Sequence, residues 1–276
     1  MLLRQWITER GCKRHRRPIA LIGIQRPLNA FWLNCRSHGV EAAMKLNEEG
    51  LKCRLLAKFR RERTLRASSV VASEFVLGQT GCRSDLAIWN GSFIGIEVKS
   101  ARDSLARLPD QMRAYRKFFD SVILLCDEAH LARAETLCPS GVGIYVWRNS
   151  ELGLFRDAAI NRDTDRRECV RSLSVKQLHS CLNLKEGGRY SRPQLEERVF
   201  ADTSIDVRSL VVGAFEATYR TTTERFLREI NGKRIAPDHL THLSRFALSR
   251  AGLRHSHNAR ESFWRQWEQQ AQAVFS

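Results

Sequence analysis

Nowhere in the 276 residues does an apolar run approach the ~20 needed to cross a membrane as a helix. Met1–Arg17 is arginine-rich and lacks the hydrophobic segment and small-residue cleavage site of a secretory leader. The apolar patch Ile19–Ile24 is too brief to serve as one. The eight cysteines, at 12, 35, 53, 82, 126, 138, 169 and 181, include no Cys-x-x-Cys pair. That scatter excludes a zinc ribbon or disulfide frame and reads as reduced thiols of a cytoplasmic protein. Also missing is a G-x-x-x-x-G-K-[ST] loop. Val122–His130 (Val-Ile-Leu-Leu-Cys-Asp-Glu-Ala-His) looks like a Walker B strand with a DEAH box, but an NTPase needs both parts, so an ATP-driven remodeller is set aside. His239 and His242, and His255 and His257, lack cysteine or acidic partners at metal-ligand spacing and read as surface or core histidines.

Acidic residues are scarce as well: 30 against 46 lysines and arginines, for a net charge of +16. An excess of that size favours a polyanionic partner, nucleic acid above all. Lys13–Arg17 forms one basic cluster and Arg60, Arg61, Arg63 and Arg66 another, each open to reading as a phosphate contact or a solvated face. With 43% hydrophobic residues a real core is expected. Composition divides the chain into a basic N-terminal extension (1–40), an α/β core (41–158) and a helical C-terminal region (159–276). Self-association is left open.

The most informative stretch is Arg83–Ser100. Two apolar runs flank Asn90-Gly91, a strong hairpin signal. On them sit Asp85, Glu97 and Lys99, charges a sheet buries only if something offsets them. Alternation puts Glu97 and Lys99 on one face and Ile94, Ile96 and Val98 on the other. A two-residue turn would set Asp85 opposite Ile96 and away from Glu97. One extra residue, as in a bulge at Gly91, is expected to set Asp85 across from Gly95 and restore a common face. Gly95, without a side chain, would then leave room over that face for a bound group.

Around the hairpin, Asn29–Asn47 reads as a helix ending near Gly50. Glu74 is ambiguous: as helix it falls in a stripe with Val70, Val71 and Leu77, as strand it shares a face with Val76. Asp103 or Ser104 can cap a turn, and Pro109 opens a helix through Phe118 with Leu108, Gln111, Met112, Tyr115 and Phe119 in one stripe. Tyr115 is equally readable as core. Ser121–Cys126 and Val142–Trp147 are strands joined by a helix over Asp127–Leu137, a parallel β-α-β unit. Arg148–Glu151 then turns the chain back through Phe155. Helices are expected over Glu168–Leu184, Pro193–Phe200, Val207–Ile230 and Asp238 to the end, where Trp264, Trp267 and Phe275 form a packing stripe.

Asp85 followed by Glu97-Val98-Lys99 resembles the D…(D/E)-x-K signature of the PD-(D/E)XK nuclease superfamily. Ser84 stands where the eponymous proline would be. Ser73-Glu74-Phe75, Arg83–Ile88, Asn90-Gly91, Gly95-x-Glu97-x-Lys99-Ser100, Asp103–Leu105, Arg107-Leu108, Gln111-x-x-x-Tyr115 and Phe119-Asp120 resemble one group within it, the bacterial sce7726-type proteins of unassigned function. The resemblance implies a restriction-endonuclease-like core, a mixed central sheet flanked by helices. It also implies Glu74 as a further ligand of the metal or its waters. Gln111 and Tyr115 are similar to the Gln-x-x-x-Tyr motif of RecB-like nucleases, in which the glutamine orients substrate or water. Asp85, Glu97 and the Val98 carbonyl offer hard oxygens suited to Mg²⁺ or Mn²⁺, and Lys99 a positive group at the reacting centre. The expected activity is metal-dependent phosphodiester hydrolysis, of DNA ahead of RNA. The alternative is a non-cleaving nucleic-acid-binding protein on the same fold.

Overall fold

Asn47 opens the first described helix in the computed structural model, which describes residues 45–162, 164–184 and 190–244. Its side chain accepts from the Gly50 amide (2.9 Å) and caps α1, Glu48–Arg61. Glu48 and Glu49 in the first turn and Lys58, Arg60 and Arg61 in the last suit the helix dipole. The helix expected to end near Gly50 is thus corrected: a helix begins there, because Asn47 and the two glutamates form a start signal. The rest of that expectation, Lys13–Arg17, His255, His257 and the C-terminal tryptophan stripe lie outside the described residues.

Six strands follow among the described residues: β1 Val70–Val76, β2 Arg83–Trp89, β3 Phe93–Lys99, β4 Ser121–Asp127, β5 Gly143–Arg148 and β6 Glu151–Arg156. They form one mixed sheet in sequence order. The β1–β2–β3 and β5–β6 pairs are antiparallel, whereas β3–β4–β5 are parallel. Between the strands lie α2 Leu108–Arg116 and α3 Leu131–Leu137. Both faces are covered, so the strands are apolar on both sides. Ala87, Phe93, Leu124 and Val146 pack toward α2 and α3, while Leu86, Ile88, Ile94, Ile96, Val98 and Leu125 pack with Leu51, Leu55, Leu56 and Phe59 of α1.

The C-terminal helices are α4 Arg166–Ser172, α5 Val175–Cys181, α6 Arg192–Ala201, α7 Val207–Glu229 and α8 Pro237–Leu240. The single helix expected over Glu168–Leu184 is two, because Ser174 breaks it by forming a capping box with Gln177. The described residues fall within one compact unit, and Val170, Leu195, Val199 and Phe215 share a cluster with the sheet. Helix α7 runs beside the outermost strand, where the Thr223 hydroxyl accepts from the Val71 amide and donates to its carbonyl, both at 2.9 Å. No described helix is long and apolar enough to cross a membrane.

Candidate metal and reaction centre

The hairpin turn is a three-residue loop, Asn90–Ser92, with Gly91 at φ +106°. Ser92 donates to the Asn90 side chain at 3.2 Å, and the Asn90 amide reaches the Thr64 carbonyl at 3.0 Å. The pairing that follows is Ala87 with Gly95 and Leu86 with Ile96. Asp85 therefore falls in register with Glu97, which corrects the expected Asp85–Gly95 pairing: the extra residue lies in the loop and shifts the partner the other way. The space expected over Gly95 is also absent. Phe119 fills it, and a Cβ built on Gly95 would lie 2.1 Å from the ring.

Pairing of β2 with β3 stops at Leu86–Ile96, and beyond it the Val98 amide finds Asp85 Oδ2 at 2.6 Å. That bond answers a backbone donor that would otherwise be unpaired, and it lays Asp85 across the open end of the hairpin. On one side stands Glu97, buried with Lys99. Glu97 Oε1 accepts from Lys99 Nζ at 2.6 Å and from Gln111 Nε2 at 2.5 Å. Its Oε2 accepts from the Tyr115 hydroxyl. Gln111 Oε1 is buried with no hydrogen-bond partner among the described residues. Tyr115 is thus both core and part of the site. Burial, then the charges of Glu97 and Asp85, push its phenol well above the usual range, so it stays a donor.

On the other side of Asp85 is a group the sequence reading missed. Lys52 Nζ of α1 lies 2.5 Å from Glu48 Oε1, 3.2 Å from Glu74 Oε1 and 4.0 Å from Asp85 Oδ1. Oxygens of Glu48, Glu74 and Asp85 lie within 4.8 Å of one another. Glu74 belongs to β1, so the strand alternative holds, with its backbone in the left-handed region at φ +57°. For a non-glycine residue that costs about 1 kcal/mol. Beyond it Phe75 and Leu77 pack into the cluster that holds Val70 and Ala72, while Glu74 meets Lys52 and Arg83 (Nε–Oε2 2.6 Å). Burial would lower the Lys52 ammonium, but Asp85, Glu48 and Glu74 outweigh it and hold it above its ordinary value. A legible signal existed: Lys52 falls within the apolar set Leu51, Leu55, Leu56 and Phe59, one turn after Glu48.

Burial, and next the charge of Glu97, push the Asp85 carboxyl up to about 7 from its ordinary 3.8, against the pull of Lys52. Between those values the folded chain holds a proton the unfolded chain has lost, so stability falls with rising pH and levels off above about 7. In EDTA, urea denaturation is expected to lose about 3 kcal/mol between pH 5 and pH 8 through this group. Asp85→Asn should remove most of that loss. An unaltered pH profile in the variant would put the proton elsewhere.

The donor set fits a hard divalent cation. Among the described residues Asp85 Oδ1 accepts no hydrogen bond, its approach to Lys52 being 4.0 Å, and Oε2 of Glu97 keeps a lone pair beyond Tyr115. The Val98 side chain packs toward α1 and its amide holds Asp85. The DEAH-like run is structural. Asp127 caps the turn that follows it, Glu128 pairs with Arg148, and His130 Nε2 lies 2.9 Å from the Ser100 carbonyl. Arg60 is tied to the carbonyls of Ile230 and Lys233 at 2.8 and 3.0 Å, which removes it from the phosphate-contact candidates. Arg61, Arg63 and Arg66 are exposed, as are Arg102 and Arg107 on the loop leaving Lys99.

A family model described as bacteriophage P4 protein cII matches residues 41–244, a span that includes the whole sheet and every residue of this site. Protein cII of Enterobacteria phage P4 is 24% identical over 198 residues, covering 68% of this chain and 73% of that protein. Among solved structures, a Silicibacter pomeroyi protein of unknown function aligns over 54% of this chain and 100% of its own, at 18% identity and a TM-score of 0.34.

Proposed function

The chain belongs to the bacteriophage P4 protein cII family, and within it we propose a divalent-metal-dependent nuclease that hydrolyses phosphodiester bonds, of DNA ahead of RNA, on a restriction-endonuclease-like core. The observation that carries this reading is the meeting of Asp85, Glu97, Lys99 and Gln111 at one end of the hairpin, with Lys99 and Gln111 both on Glu97 Oε1. Mg²⁺ or Mn²⁺ held by Asp85, Glu97 and the Val98 carbonyl would supply a water of lowered pKa and draw charge from the phosphate.

The chain's own residues do the rest. Lys99, fixed by Glu97, presents its ammonium where negative charge grows on the phosphorus oxygens. Gln111 Oε1, without a partner among the described residues, would accept a hydrogen bond from the attacking water and so orient it. Tyr115 fixes the Glu97 carboxylate from behind. Exposed Arg102 and Arg107 offer sequence-independent phosphate contacts near the mouth. A cytoplasmic setting and a nucleic-acid partner belong to the same proposal.

One observation favours the alternative, a binding protein without cleavage: Lys52, Lys99 and Arg83 already offset most of the acids' charge, so the site can stand without an ion. Incubation with linear and circular DNA and RNA, in Mg²⁺, Mn²⁺ or EDTA, separates the two. Cleavage that EDTA abolishes is expected. Binding without cleavage under every condition would establish the alternative instead.

A further inference from the structure

Of the residues that α1 buries, Lys52 carries the charge, with its side chain 5% exposed. A buried ammonium needs acidic partners, and one would serve. Here three carboxylates converge on it, two of them still open to solvent at 43% for Glu48 and 33% for Glu74. Glu74 is further held by Arg83. Three like-charged groups within 4.8 Å repel unless a cation sits among them. In this fold that cation is covalently part of the chain.

The position is also next to the reaction centre. Asp85 is shared: its Oδ1 faces Lys52 while its carboxylate is held over β3 beside Glu97. A divalent ion on the Lys52 side would meet the ammonium at contact distance and be repelled. On the Glu97 side the Lys99 ammonium is held by Glu97 Oε1 at 2.6 Å, and an ion would be met by Asp85 and by Glu97 Oε2. We propose that Lys52 occupies one of two adjoining cation positions around Asp85, so that the site takes a single divalent ion beside a fixed positive charge. This rests on the metal-dependent reading above and names what limits it.

Calorimetric titration of the full chain with MnCl₂, without nucleic acid, tests it. Wild type is expected to bind one Mn²⁺ and Lys52→Met two, since the variant keeps the length of the side chain but drops its charge. Lys52→Arg, which restores charge, should return to one. In the wild-type background Glu48→Gln should leave the single Mn²⁺ unchanged within twofold, because Glu48 serves Lys52 rather than the ion. That arm decides the matter if Lys52→Met fails to fold.

Two Mn²⁺ on wild type, an unchanged titration in Lys52→Met, or a tenfold loss in Glu48→Gln would each overturn the assignment while leaving a metal site intact. If wild type binds none and Lys52→Met binds one, Lys52 holds the position and the metal-dependent reading of the native chain falls. If neither binds, both fall.

Discussion

Asp85→Ala, Glu97→Gln and Lys99→Ala are each expected to lower divalent-dependent cleavage roughly a thousandfold or more, the scale seen when a preorganised charge is removed from a reacting centre. The causes differ. The first removes an oxygen ligand and the second exchanges a charged one for a neutral amide, while keeping the size that lets Gln111 and Tyr115 stay packed. The third leaves the ligands and strips the ammonium from the phosphate. Nucleic-acid binding should survive in all three and weaken as salt rises, because the phosphate contacts come from exposed arginines. Without metal, loss of an acid should tighten binding slightly by removing repulsion. Gel-based cleavage beside a salt series of binding isotherms reads both. A Lys99→Ala protein that cuts like wild type would show that the Asp…Glu-x-Lys assignment is wrong even if the chain is a nuclease.

Gly95→Ala is expected to cost about 3 kcal/mol, at the upper end for overpacking a filled core. The added methyl would fall 2.1 Å from Phe119. That ring has nowhere to go, being fully buried, with Phe93 at 4.9 Å, Phe118 at 5.4 Å and Tyr115 at 5.6 Å between centroids. Displacing it would also push Tyr115 off Glu97, so activity should fall with stability. Urea midpoints for Gly95→Ala and for Gly95→Ala with Phe119→Leu check this, the second change making space and recovering part of the loss. Equal midpoints for wild type and Gly95→Ala would mean the ring has slack.

The parts of this molecule that were legible in sequence are those where residue type conflicts with its surroundings. Asp85, Glu97 and Lys99 stand out because charges interrupt apolar strands. The β-α-β unit stands out because Ser121–Asp127 is buried along its whole length. Lys52 was legible only in part: it interrupts the apolar set of α1, but an i, i+4 Glu–Lys pair on a basic helix is ordinary at a surface. Only packing against the sheet turns that face of α1 inward. The role of Gly95 was misread for a related reason: a missing side chain marks close approach, but not whether a ligand or a phenylalanine makes it. Glu74 needed its backbone dihedral, which a one-dimensional pattern does not carry.

The Thr223 hydroxyl, bonded to both backbone groups of Val71, bears on how this chain meets copies of itself. Strand β1 ends the sheet, and an uncovered edge is a template onto which another chain can add a strand. Thr223 takes the donor and acceptor that an incoming strand would need at Val71, and Arg220 occupies the Ser68 carbonyl just ahead at 3.0 Å. A sheet cannot be continued past that point without first lifting α7 away, so this side of the protein is guarded against runaway strand exchange by a side chain that imitates a neighbouring backbone.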